Sequence, residues 1–174
     1  MTERAAAPAA EADLAGALNS WTAGVTLVTV ADGRDDVGAT VSAFCPVSDD
    51  PPLVAVSLLA GSYLAEVLGR EDAPATAFAV VLLTAGQRVL SGRFAAAGRP
   101  GVRLLLGDVP CRRGPVSGAL IVEGGLAALE CSAEQVRPAG DHLLVIARVT
   151  SVPYVSDVGE PLVRFRRRYL PAKI

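Results

Sequence analysis

The chain's one histidine, His142, follows Ala139-Gly140-Asp141 and opens the apolar run 143–147. A glycine turn ahead of such a run sets an imidazole at the mouth of a strand, where it can bond a ligand or hand over a proton near neutral pH. A second polar group lies far upstream, in the stretch 38–59. There Ser42 and Ser48 frame a loop of mostly small residues, Ala43-Phe44-Cys45-Pro46-Val47. Small residues and hydroxyls let backbone N–H groups come close to a flat or anionic ligand. Ser62 precedes Tyr63 and Leu64 at the N-cap position of a short helix, a place that can also hold a phosphate. Each feature has a plain structural reading as well: histidines end strands, and serines cap helices.

These residues need strands around them. Thr29, Val30, Thr40 and Val41 are β-branched and suit strands. Asp49-Asp50-Pro51-Pro52 breaks the chain, because a residue before proline is pushed out of the helical region. The run 53–58 after it is nearly unbroken apolar, as in a strand buried on both faces. The spacing further predicts a helix over 13–21, a strand over 25–30, a turn over 31–36, a helix over 62–68 and a strand over 76–83. Beyond these come a helix over 84–97 ended by Gly98-Arg99-Pro100-Gly101, and mixed short elements over 102–118. Last are a strand region over 119–136 with a bulge at Gly124-Gly125, a strand over 142–149 and one more over 161–169. Six or so strands with few helices predict a mainly β, closed barrel rather than a βαβ sheet. Residues 1–12 read as a disordered tail, and 13–174 as a single domain.

Composition narrows the function. A chain of 174 residues with 51% apolar residues and a mean hydropathy of +0.41 has apolar surface to spare, which predicts association with a second copy. Its longest apolar runs fall far short of the roughly 20 residues of a membrane span. A net charge of −2 argues against a nucleic-acid binder held by phosphate neutralisation. The basic stretch Arg164-Phe165-Arg166-Arg167-Arg168 reads as a solvated edge or interface rim. The only lysine, Lys173, is next to last, a poor place for Schiff-base chemistry. Cys45, Cys111 and Cys131 are widely spaced, and with one histidine no structural zinc site is expected. No leader-like apolar core follows Met1, so free thiols in a reducing cytoplasm are expected. Neither G-x-G-x-x-G nor G-x-x-x-x-G-K-[ST] occurs, nor a G-x-S-x-G elbow, which removes Rossmann, P-loop and serine-hydrolase sites.

An ordered set of short motifs remains. The chain carries A-G-V-T-L-V-T-V (23–30), G-A-T-V-S-A-F (38–44) and V-S-D-D-P-P-L-V-A-V-S-L (47–58). They are followed by R-F-A (93–95), L-A-A-L-E-C (126–131), A-G-D-H (139–142) and P-L-V-R-F-R-R-R-Y (161–169). In that order they resemble the flavin reductase-like family, the FMN-binding split barrels that serve as reductase components of two-component flavin monooxygenases. The resemblance implies a homodimeric six-stranded Greek-key split barrel with flavin at the subunit interface. It implies Thr40, Val41, Ser42 and Ala43 along the isoalloxazine ring. Ser57, Ser62, Arg93 and Phe94 would surround the ribityl phosphate, and His142 would stand beside the nicotinamide. Arg93 would grip phosphate in bidentate fashion. The sequence departs from the family at Val81, Ala43 and Cys45, where asparagine, serine and serine are usual.

The activity implied is that of an NAD(P)H:flavin oxidoreductase. It would transfer hydride from NADH or NADPH to FMN or FAD and supply reduced flavin to a partner monooxygenase. The alternative is a non-catalytic flavin-binding or assembly protein on the same barrel. A haem-handling relative would have only His142 for an axial ligand. Oxidation of NAD(P)H with added flavin separates the first two.

Overall fold

The computed structural model describes residues 9–33, 35–70 and 76–171. In chain order the elements are α1 (Ala9–Asn19), β1 (Ala23–Gly24), β2 (Thr26–Asp32), β3 (Asp35–Val41), β4 (Phe44–Asp49), β5 (Pro52–Leu59), α2 (Tyr63–Leu68) and β6 (Ala77–Leu82). A 3₁₀ turn (Ala85–Gln87) leads into α3 (Arg88–Ala95) and α4 (Val102–Leu105). Then follow β7 (Cys111–Arg113), β8 (Leu120–Val122), β9 (Ala127–Ala139), β10 (His142–Val155), β11 (Leu162–Phe165) and β12 (Arg168–Pro171).

The fold is mainly β with few helices. Its principal sheet has seven strands in the order β3-β2-β6-β9-β10-β5-β4, all antiparallel. The edge strands β3 and β4 are consecutive in the chain, separated only by Ser42 and Ala43. Two residues therefore join the two edges of the sheet, although no ladder between β3 and β4 closes it among the described residues. A six-strand closed ladder was expected; seven strands in an open order are observed. A smaller sheet, β1-β11-β12, and the β7–β8 pair complete the β structure.

Both faces of the sheet are covered, which is why its central strands are continuously apolar. Along β6, Phe78 and Val80 enter one core with Val28, Val56, Leu64 and Val145, while Ala79 and Val81 enter another with Leu27, Leu90, Phe94 and Ile121. The alternation follows from the two-residue period of a strand. Each fully buried Val, Leu or Phe contributes about 1.5–3 kcal/mol, so these two layers fix the sheet. Polar residues inside are bonded: Thr26 Oγ1 donates to Val41 O at 2.8 Å and Thr29 Oγ1 to Leu120 O at 2.6 Å.

Five readings from the sequence change. The loop expected between Ser42 and Ser48 shrinks to Ser42 and Ala43, because Phe44–Asp49 form edge strand β4 paired along β5. Helix α1 begins at Ala9 rather than residue 13, so 9–12 are helical, while the tail expected over 1–8 lies outside the described residues, as does Lys173. Gly124-Gly125 is not a bulge but the connection from β8 to β9; a Cβ on Gly125 would meet Val81 Cγ1 at 2.6 Å. The segment 161–169 is not one strand but the hairpin β11–β12. Finally, the helix predicted over 84–97 divides at Arg88, where a 3₁₀ turn capped by Thr84 and Gln87 precedes α3.

Candidate functional site

Strand β5 is the spine of the site. Leu59 lies opposite His142 and Ser57 opposite Leu144. Ser57 N donates to Ala43 O at 2.9 Å, which fastens the 42–43 connection to β5. Ala60 N donates to Asp141 O at 3.0 Å, which fastens the turn before β10 to the end of β5. Thr26 holds the end of β3 through Val41 O. Ser62 then caps α2, its Oγ accepting from Ala65 N at 3.2 Å. That hydroxyl can still donate its own proton outward.

These ties bring together residues far apart in sequence. A groove of about 300 Å³ is lined by Thr40, Val41, Ser42, Ala43, Ser57, Ser62 and His142, and also by Arg164. It runs into two others. Through Ser42, Ala43, His142 and Arg164 it meets a groove of about 470 Å³ that Trp21, Arg166 and Arg167 also line. Through Ala39 and Ser62 it meets one of about 270 Å³ that includes Tyr63 and Arg99. The result is one trough with Arg164, Arg166 and Arg167 at one end, Arg99 together with Asp35 and Asp36 at the other, and hydroxyls and an imidazole between.

Arg93 and Phe94 line none of these three grooves. Helix α3 turns Phe94 into the core, 3% exposed, where its ring would lie 3.3 Å from a Cβ on Gly38. Arg93, one residue earlier on the helix, is drawn instead to Asp108 by two hydrogen bonds of 2.6 and 3.0 Å, with Leu105 O at 3.4 Å. The cation beside Ser62 is Arg99. Its guanidinium stacks 5.4 Å over the Phe94 ring and donates to Gly38 O at 2.5 Å. Desolvation by burial lowers its proton affinity somewhat, as for a cation held against apolar surface. In the sequence Arg99 reads only as part of a helix stop. An arginine between a glycine and a proline was the available signal.

At the centre, His142 Nδ1 lies 2.8 Å from Asp141 Oδ1. The hydrogen bond to His142 holds the Asp141 carboxyl below its ordinary range. With that carboxylate ionised, the proton sits on Nδ1 and Nε2 is left for a ligand. Asp36 anchors the wall around Arg99. It is 4% exposed, receives Arg103 Nε at 2.7 Å and is bonded by both terminal nitrogens of Arg113. Burial pushes its carboxyl up, but the two guanidiniums outweigh this and hold it below the usual carboxylate value. Among the described residues no cluster of His, Cys, Asp or Glu suits a metal ion, and no helix is long and apolar enough to cross a membrane.

The trough suits an elongated, partly flat, anionic ligand. Among the described residues edge strand β3 has no ladder partner on the side away from β2, hydroxyls line the middle, and guanidiniums stand at both ends, with Asp35 and Asp36 beside Arg99. Two solved structures share this architecture closely. Streptomyces globisporus C-1027 NADH:FAD oxidoreductase SgcE6 superposes with a TM-score of 0.83 at 25% identity, covering 100% of this chain and 94% of that one. BorF, the flavin reductase component of a bacterial two-component tryptophan halogenase, gives 0.82 at 28% identity, covering 94% and 99%.

This chain belongs to the flavin reductase-like family, whose domain model matches residues 18–173. Among its relatives, the NADH-dependent FMN reductase AsuE2 of Streptomyces nodosus subsp. asukaensis is 37% identical over 153 residues, 86% of this chain and 78% of that protein. The reductase component of 4-hydroxyphenylacetate 3-monooxygenase from Thermus thermophilus is 35% identical over 153 residues, 88% and 91% of the two chains.

Proposed function

We propose that this chain is an NAD(P)H:flavin oxidoreductase that reduces FMN or FAD and passes the reduced flavin to a separate monooxygenase. The observation that carries the reading is the trough, in which Thr40, Val41, Ser42, Ala43, Ser57, Ser62 and His142 share one groove. Relatives named as an NADH-dependent FMN reductase and as a monooxygenase reductase component support it. So does a neighbour solved with NAD and FAD fragments, at a TM-score of 0.84 and 25% identity.

A flavin held here would supply the two-electron acceptor for hydride from NAD(P)H, which with one proton gives reduced flavin and NAD(P)⁺. The chain's own part is to orient and to hold charge. Residues 40–43 give a flat wall with backbone donors for the ring. Ser57 and Ser62 offer hydroxyls along the ribityl chain, and Arg99 meets its phosphate; Arg93 is the other candidate for that contact. His142 Nε2, bare in the neutral ring, would accept from the nicotinamide carboxamide and, second, would give a proton at the reacting edge when the ring carries protons on both nitrogens.

The working unit in this reading is a homodimer in which a second copy covers the open trough. Leu14 and Leu18 are 58% and 65% exposed in the single chain, and Leu18 borders the trough itself. The deciding experiment is NADH or NADPH oxidation followed at 340 nm with FMN or FAD added. Flavin-dependent turnover supports the reading. Flavin binding without oxidation would leave a non-catalytic flavin carrier.

A further inference from the structure

The hairpin β11–β12 turns through two arginines whose backbone is in the left-handed region, Arg166 at φ 46 and Arg167 at φ 62. A two-residue hairpin turn with both central residues at positive φ favours Asn-Gly, because side chains with a full Cβ resist that conformation. Here the most strongly cationic side chains occupy it. The surroundings make the turn rigid. Arg166 N donates to Asn19 O at 2.9 Å, and β11 pairs with β1 at Ala23 and Gly24.

Arg164, Arg166 and Arg167 all line the 470 Å³ groove, with Trp21 and His142. Its lining contains no acidic side chain; Asp141 stands nearby but is bonded to His142. Among the described residues none of the three guanidiniums is paired with a carboxylate, whereas Arg70, Arg93, Arg103, Arg113 and Arg148 each are. Arg164 reaches Ser42 Oγ at 3.5 Å and Arg166 stacks 5.1 Å over Phe165. Uncompensated like charges on one small hairpin repel each other unless an anion joins them. Trp21 adds an exposed aromatic face, and every nucleobase can stack on such a face.

We propose that this arginine hairpin is a clamp for the pyrophosphate of an adenine dinucleotide, with Trp21 as the platform for its base. The proposal rests on the flavin reductase reading of the trough and extends it to the end remote from Arg99. The adenylate pyrophosphate has two sources, the NAD(P)H donor and the adenylate half of FAD. FMN has neither group and would leave the clamp untouched.

The test is the double variant Arg166→Asn with Arg167→Gly, which removes both charges yet installs the pair that such a turn prefers. Its melting temperature is expected at or above that of the wild type, so a loss of binding cannot be laid to misfolding. ADP-ribose, titrated calorimetrically at low salt, is expected to bind the wild type and to bind the variant about tenfold or more weakly. The FMN dissociation constant is expected to stay within about twofold. Titration of FAD and steady-state KM for NADH and NADPH then assign the source. A raised KM with unchanged FAD affinity gives the clamp to the donor; weaker FAD binding with unchanged KM gives it to the flavin. Equal ADP-ribose affinity in both proteins, or none in the wild type, overturns the clamp. Because ADP-ribose is not a redox substrate, that result stands even if the wild type reduces no flavin.

Discussion

Asp141 Oδ1 lies 2.8 Å from His142 Nδ1 although the two residues are adjacent in the chain. Neighbours within a strand point to opposite faces, and that rule argues against this pair. It does not apply, because β10 begins at His142 and Asp141 belongs to the turn. Gly140, at φ 65, lets the chain reverse there, and Ala60 N holds Asp141 O from the neighbouring strand. The carboxylate thus engages Nδ1 of the imidazole, and the ring lines the groove with Nε2 free of a hydrogen-bond partner among the described residues.

His142→Ala is expected to lower kcat/KM for NAD(P)H by roughly 10- to 100-fold, the scale of one lost hydrogen bond to a well-placed substrate. Flavin affinity should hardly move. Asp141→Asn keeps the side-chain volume but removes the ionised acceptor, so a smaller loss, about 3- to 10-fold, is expected with an altered pH profile of kcat/KM. Stopped-flow flavin reduction from pH 6 to 8 checks both. A wild-type rate and profile in the histidine variant would make His142 a strand-end residue and no more.

Much of this was legible from residue types. The break at Asp49-Asp50-Pro51-Pro52, the buried run of β5 and the serine cap of α2 follow from local physical chemistry, and the structure shows each. Arg166-Arg167 was not legible as a turn, since neither residue belongs to the usual turn formers. Hairpin pairing with β1 imposes the reversal there, and tertiary context overrides propensity. The choice between Arg93 and Arg99 was equally hidden. It depends on Asp108, fifteen residues from Arg93, and on where Phe94 packs.

That choice gives a paired prediction. Arg99→Ala should weaken FMN binding by about 1.5–3 kcal/mol, the worth of a hydrogen bond to a charged group, and leave riboflavin binding unchanged because it has no phosphate. Arg93→Ala should leave both constants near wild type, its guanidinium being engaged by Asp108. Fluorescence titration of the two flavins decides. The reverse pattern returns the phosphate contact to Arg93.

Acid should unfold this protein through two buried carboxylates. Glu130 is fully buried, and its Oε1 accepts from Val116 N at 3.0 Å, Ser117 N at 2.7 Å and Ser117 Oγ at 2.8 Å. Burial raises its pKa, but those donors outweigh burial and the net shift is downward; Asp36 behaves alike with its arginines. A depressed folded pKa means stability that is full above the unfolded values, about 3.9 for Asp and 4.3 for Glu, and lost as pH falls through the folded ones. Urea midpoints should therefore be level from pH 7 to about 5 and fall below about pH 4. Asp36→Asn should cost about 1–3 kcal/mol at pH 7 and flatten that fall. An equally steep acid loss in the variant would remove Asp36 from the account.

The open trough and the exposed side of α1 lead to a last expectation. Helix α1 has 11 residues, and an isolated helix of that length is marginal in water unless its apolar side is covered. Yet Leu14 and Leu18 are 58% and 65% exposed in the single chain. A second copy seated on this side would cover them and narrow the groove bounded by Leu18, Trp21 and the arginine hairpin. Light scattering at micromolar concentration should accordingly give twice the 17.8 kDa of one chain. Leu14 lines none of the three grooves, so Leu14→Glu tests association without touching them. It should weaken the dimer about tenfold or more, the effect of a charge placed in an apolar contact, and flavin affinity should fall with the fraction of monomer. A wild-type monomer under these conditions, or a Leu14→Glu dimer as tight as wild type, would mean that α1 is covered in some other way and that the trough works from one chain.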